Sequence, residues 1–171
     1  MELEQALKEC GALRFGEFTL ASGQKSNYYI DIKRASTRPE ILSLIAEMMA
    51  ARINERPDRI AGVVLGSIPL ATALSLRTGI PLLMVRKERK DHGTGSAIEG
   101  DLEEGMEVLV VEDVITSASS AIAAVKQLRE NGATVNKVMA VVDREVGGRE
   151  ALAAEGIELD ALLAAGRLLK G

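Results

Sequence analysis

Two hydrophobic patterns alternate along the chain. Apolar runs at 60–65, 82–85 and 108–111, and a mainly apolar one at 135–142, are rich in Val, Ile and Leu. Such runs predict strands buried on both faces of a parallel sheet. Between them lie stretches whose apolar residues recur at spacings of three and four. The clearest is 39–56, with Ile41, Leu44, Ile45, Met48 and Met49 on one stripe, Pro39 in its first turn and Pro57-Asp58 as its stop. Helices are predicted likewise at 2–10, ended by Gly11, and at 70–77, 121–129 and 149–155. Residues 13–20 and 21–31 predict two short strands around a Ser22-Gly23 turn, and 157–164 adds a last edge strand. Alternation of strand and helix from 41 to 144 implies an α/β domain with right-handed crossovers. No repeat, low-complexity tract or dividing linker interrupts the 171 residues, so a single domain is expected.

Chemistry concentrates where the run 108–111 ends. Glu112 and Asp113 follow at once, then Thr116, Ser117, Ala118, Ser119 and Ser120, then the helix with Ile122, Val125 and Leu128 on one stripe. The first amides of a helix have no internal partner, and its dipole is positive there. A hydroxyl-rich turn at that point is an anion seat. Carboxylates at the C-terminal end of a strand lie where open α/β sheets bind ligands. The pair suits vicinal hydroxyls or a metal, so a sugar phosphate satisfies both halves. A Ser/Thr turn capping an ordinary helix is the competing explanation. The turn is neither a Walker loop nor a dinucleotide fingerprint.

Composition narrows the classes. Net charge is −4, which argues against general nucleic-acid binding. One cysteine excludes an internal disulfide and a cysteine-cluster metal site. Neither a signal peptide nor an apolar stretch near 18 residues is present, so no membrane partner is expected and the setting read is cytoplasmic. Aromatics make up 2%, and both Phe and both Tyr fall between Phe15 and Tyr29. They either hold an N-terminal hood in place or stack on a flat heterocycle. Residues 86–100 carry a local excess of base, the only histidine (His92) and glycines at 93, 95 and 100. By composition this is a charged, mobile hairpin.

Three of these stretches resemble one family. The 108–120 stretch resembles the phosphoribosyl pyrophosphate (PRPP) motif of type I phosphoribosyltransferases. F-G-E-F-T-L-x-S-G-x-x-S-x-Y-Y at 15–29 resembles the N-terminal signature of orotate phosphoribosyltransferases, and R-K-E-x-K-x-H-G-x-G at 86–95 resembles their lid. The resemblance implies a type I phosphoribosyltransferase fold: a central, mainly parallel sheet flanked by helices, with a hood over about 1–36 and a core over about 37–171. It implies transfer of the phosphoribosyl group from PRPP to orotate, with Mg²⁺ bound mainly through PRPP and Glu112 and Asp113 as the protein's candidate ligands. It assigns catalytic roles to Lys90, His92, Glu112 and Asp113. Substrate contacts fall to Arg86, Lys87, Thr116, Ser117, Ala118, Ser119, Ser120, Arg144, Tyr29 and Ser22. Tyr29 would pack on orotate, Arg144 would hold it by fork-like hydrogen bonds, and a lid shared between the subunits of a homodimer would close over pyrophosphate.

Two positions depart from the family pattern. Ala118 stands where the phosphate loop usually has Gly, and Ala21 where bacterial members have a substrate-reaching Lys, for which Lys25 or Lys33 are candidate substitutes. Two other functions share the central motif: a purine phosphoribosyltransferase, which should lack this lid, and a non-catalytic PRPP-binding regulator, which would need a nucleic-acid surface.

Overall fold

The computed structural model describes residues 1–20, 23–87 and 97–170. A short helix α1 (Leu3–Glu9) leads into an antiparallel hairpin of β1 (Leu13–Thr19) and β2 (Lys25–Ile30), with a register shift between Phe15 and Phe18. After α2 (Lys33–Ser36) and α3 (Pro39–Ala51), strands and helices alternate: β3 (Arg59–Val63), α4 (Ile68–Thr78), β4 (Leu82–Val85), β5 (Ile98–Glu99), β6 (Glu107–Ile115), α5 (Ser119–Glu130), β7 (Thr134–Asp143), α6 (Gly148–Ala154), β8 (Glu158–Ala164) and α7 (Ala165–Leu168).

The second sheet has the order β5-β4-β3-β6-β7-β8. All its pairings are parallel except β4 with β5. Both faces are covered, which is why the strands read as apolar runs. Leu109, Val111 and Met139 belong to one core with α1, α3, α4, α7 and Tyr28 of the hairpin. Val108, Val110 and Val138 belong to the other, with α5 and α6. The N-terminal hairpin is therefore anchored on one side of the sheet by Tyr28 and Leu13.

Several boundaries differ from expectation. α3 ends at Ala51, and the Arg52 that caps it reaches across the fold, its Nη1 donating to Asp160 Oδ1 at 2.6 Å and to the Ala161 carbonyl at 3.0 Å. No periodicity could report that distant capture. β6 continues through Glu112 and Asp113 to Ile115, pairing Glu112 with Ala140 and Ile115 with Asp143. The acids are thus strand residues, held by the ladder rather than by a loop. Elements α2, β5 and α7, of two to four residues, are too short to leave a pattern in the sequence.

Candidate active site

Strand order reverses between β3 and β6: β4 continues the sheet on one side, β7 and β8 on the other. At such a switch point the loops leaving the two strands diverge and open a crevice at their C-terminal ends. A cavity of about 350 Å³ lies there, and Lys33, Gly66, Ser67, Lys87, Glu112 and Asp113 are among its lining residues.

The two acids differ in environment. Adjacent strand residues face opposite sides, yet at the strand end both carboxylates reach the cavity. Glu112 is 7% exposed. Burial, and next the charge of Asp113, push its carboxyl from the ordinary 4.5 up to about 7, against a hydrogen bond from Ser67 and the charge of Lys87. Asp113 is half-buried, and its Oδ1 accepts from the Val114 amide at 2.8 Å. Gly66 gives it room: a Cβ there would lie 2.5 Å from Asp113 Oδ2. Ser67, 1% exposed, locks the β3–α4 turn, its hydroxyl bonding both the amide and the carbonyl of Val63, at 2.7 and 2.9 Å.

Thr116, Ser117, Ser119 and Ser120 are exposed and surround the start of α5, and Ser120 lines the cavity. No side chain caps α5 at its N-cap residue, Ala118. The Ser117 hydroxyl instead bonds Ser119 Oγ at 3.3 Å, with the Ser119 amide 3.4 Å away. The first-turn amides and hydroxyls so form a seat for an anion. Ala118 adopts φ +66 and is 4% exposed. The backbone there is the left-handed one a glycine would favour, reached with a methyl group packed into the core.

The other expected residues occupy two regions. At the mouth of the 86–100 stretch, Lys87 faces the cavity while Arg86 pairs with Glu99, Nη2 to Oε1 at 3.2 Å. The Arg86 amide donates to the Ala97 carbonyl at 2.7 Å, closing the base of that stretch. Lys90 and His92, and likewise Ala21 and Ser22, lie outside the described residues. Past the end of β7, Arg144 Nε donates to the Tyr28 hydroxyl at 3.1 Å and Nη2 to Ser26 Oγ at 3.3 Å, its guanidinium 4.6 Å from the Tyr28 ring centre. Tyr29 is on the other face of β2, with Phe18 at 5.7 Å and Arg14 at 5.1 Å from its ring.

Sequence reasoning singled out neither Ser26, Tyr28 nor Asp143. A signal existed for the first two. Ser26 and Tyr28 share a face in a strand of period two, and Tyr29 falls on the opposite one.

An α/β switch point holding paired acids beside a hydroxyl-lined helix start defines a phosphoribosyl-binding domain, and residues 33–155 match the phosphoribosyl transferase domain model. The orotate phosphoribosyltransferase of Methanocaldococcus jannaschii is 55% identical over 158 residues, covering 92% of this chain and 90% of the relative. That of Methanosarcina mazei is 53% identical over 170 residues, 99% and 91% of the two chains. The crystal structure of orotate phosphoribosyltransferase from Aeropyrum pernix superimposes with TM-score 0.89 at 37% identity, covering 99% of this chain and 97% of that one. The chain belongs to the orotate phosphoribosyltransferases.

Proposed function

We propose that the protein transfers the 5-phosphoribosyl group of PRPP to orotate, releasing pyrophosphate and forming orotidine 5′-phosphate for pyrimidine synthesis. The observation that carries this reading is the convergence on one cavity of Glu112, Asp113, Lys87 and Ser120 at the α5 start. An activated sugar with anions at both ends fits that set.

The chain's own residues act by positioning and electrostatics. Thr116, Ser117, Ser119, Ser120 and the α5 amides receive the 5′-phosphate. Glu112 and Asp113 accept hydrogen bonds from the ribose hydroxyls and favour positive charge on the ring as the bond to pyrophosphate breaks. Lys87, with Arg86, Lys90 and His92 of the lid, neutralises the departing pyrophosphate, and lid closure excludes water from the activated sugar. Arg144 binds the base, with Ser26 and Tyr28 beside its guanidinium and the Ser22-Gly23 turn at the border. The packing of Tyr29 on orotate that the resemblance implies does not fit its place on the other face of β2, against Phe18 and Arg14. Attack by the orotate nitrogen on the anomeric carbon completes the exchange.

Mg²⁺ fits the donor set. It takes hard oxygen ligands and usually keeps only one or two protein carboxylates. Among the described residues no three His, Cys, Asp or Glu side chains converge; Glu112 and Asp113 would be the protein's candidate ligands, with the ion held mainly through PRPP oxygens. When bound, the ion adds charge neutralisation at the pyrophosphate. The reading further takes the chain as one domain, hood about 1–36 over core about 37–171, acting in the cytoplasm as a homodimer with shared lids. Among the described residues no helix is long and apolar enough to cross a membrane.

The test is the fall in orotate's ultraviolet absorbance on adding PRPP and Mg²⁺, run beside adenine and hypoxanthine. Consumption of orotate alone is expected. Consumption of a purine instead, or PRPP binding without turnover of any base, overturns the proposal.

A further inference from the structure

With Arg144 assigned to the base, one buried charge beside it has no task. Asp143 closes β7 and is 1% exposed. A carboxylate withdrawn from water is costly unless paired. Its Oδ1 accepts from the Glu145 amide at 2.8 Å. Its Oδ2 lies 3.2 Å from Arg149 Nη2, yet accepts no hydrogen bond among the described residues. One charge thus bridges two elements with half its hydrogen-bonding capacity unused.

What it bridges is the turn that carries Arg144. Glu145 has φ +57, a conformation residues with a Cβ rarely adopt, and the bond its amide donates to Asp143 holds it there. The Glu145 carboxylate accepts from the Gly166 amide at 2.8 Å, tying the turn to α7. Arg149 Nη1 donates to the Leu159 carbonyl at 2.7 Å, tying it to β8. On the near side, the Arg144 amide donates to the Ile115 carbonyl at 3.0 Å. Gly148 packs so closely that a Cβ would collide with the Thr116 carbonyl oxygen. The backbone on either side of Arg144 is held, and its guanidinium leans on Tyr28 and Ser26.

We infer that Asp143 is a positioning residue for the base site: braced by Arg149, its carboxylate sets the left-handed turn at Glu145 and so the direction in which Arg144 presents its guanidinium. The inference rests on the reading of Arg144 as the orotate-binding fork. A fork contacts a carboxylate at two points, so its aim matters more than that of a single point charge.

The experiment measures KM for orotate, KM for PRPP, kcat and thermal midpoint in Asp143→Asn, Arg149→Met and Arg149→Lys, with Arg144→Ala alongside. Asp143→Asn keeps the shape and the acceptor for Glu145 but removes the charge. Misaiming the fork should raise KM for orotate about tenfold or more, while KM for PRPP changes by about twofold or less. Arg149→Met should do the same, and Arg149→Lys should recover part of the loss. If the Asp143 and Arg149 variants raise both KM values together, or leave orotate unaffected while Arg144→Ala weakens it, the positioning role is wrong and the site reading stands. If Arg144→Ala itself leaves KM for orotate unchanged, the reading of Arg144 fails and the inference falls with it. Should Asp143→Asn fail to fold, the Arg149 pair decides alone.

Discussion

Replacing Glu112 with Gln should stabilise the ligand-free protein at alkaline pH while impairing it as a catalyst. The carboxyl is raised from 4.5 to about 7, chiefly by burial. Between those two values the folded state therefore holds more protons than the unfolded state. The contribution of Glu112 to stability is whole below about pH 4.5, declines as pH rises, and is gone beyond about pH 7. A shift of about 2.5 units at about 1.4 kcal/mol each makes the ionised carboxylate a burden of about 3 kcal/mol at pH 8. Glutamine has nearly the same shape and no charge. At pH 8 Glu112→Gln should gain up to about 3 kcal/mol, a rise in thermal midpoint of about 6–12 °C for a chain of this size. At pH 5, where the native carboxyl is almost wholly protonated, the gain should shrink to about 1 kcal/mol or less. Taking the difference between variant and parent at each pH removes the titration of every other group. The assay is thermal unfolding in chelator at fixed protein concentration, at pH 5 and pH 8. A difference that is the same at both pH values would show that Glu112 is not held protonated by its surroundings. On the functional side, the same substitution removes the charge that favours a positive ribose ring, and kcat should fall by about a hundredfold.

Four further outcomes are expected. Gly66→Ala should lower kcat at least tenfold with little change in melting, because its Cβ would stand 2.5 Å from Asp113 Oδ2 and turn that carboxylate off its bond to Val114. Gly62→Ala, whose Cβ would meet the Ala71 Cβ at 2.9 Å in the core, should instead cost about 1–3 kcal/mol of stability; equal effects on both properties in the two variants would refute the distinction. Ala118→Gly should be near neutral, since relief of about 1 kcal/mol of left-handed strain is offset by the loss of about 0.8 kcal/mol of methyl burial and by glycine's extra chain entropy; a large fall in KM for PRPP would mean that the alanine distorts the phosphate seat. Lys90→Ala should lower kcat far more than it weakens orotate binding, as single-turnover kinetics and equilibrium binding can separate, and equal losses in both would remove it from the leaving-group role.

Local pattern was enough for much of this protein. Short apolar runs rich in Val, Ile and Leu, alternating with helical periodicity, point to strands covered on both faces at 60–65, 82–85, 108–111 and 135–142. The hydroxyl-rich start of α5 is likewise local, since Thr116 to Ser120 are consecutive in the chain. What tertiary structure alone decided involves residues far apart in the chain. Glu112 and Asp113 look equivalent in sequence, and only burial in the fold, with the charge of Asp113 beside it, raises the Glu112 carboxyl to about 7 against the opposing pull of Ser67 and Lys87. Arg144 meets Tyr28 across 116 residues, and Gly66 makes room for Asp113 from the β3–α4 turn. Desolvation and contact depend on which surfaces the fold brings together, and a one-dimensional pattern carries the propensity of each segment but not its distance from the next.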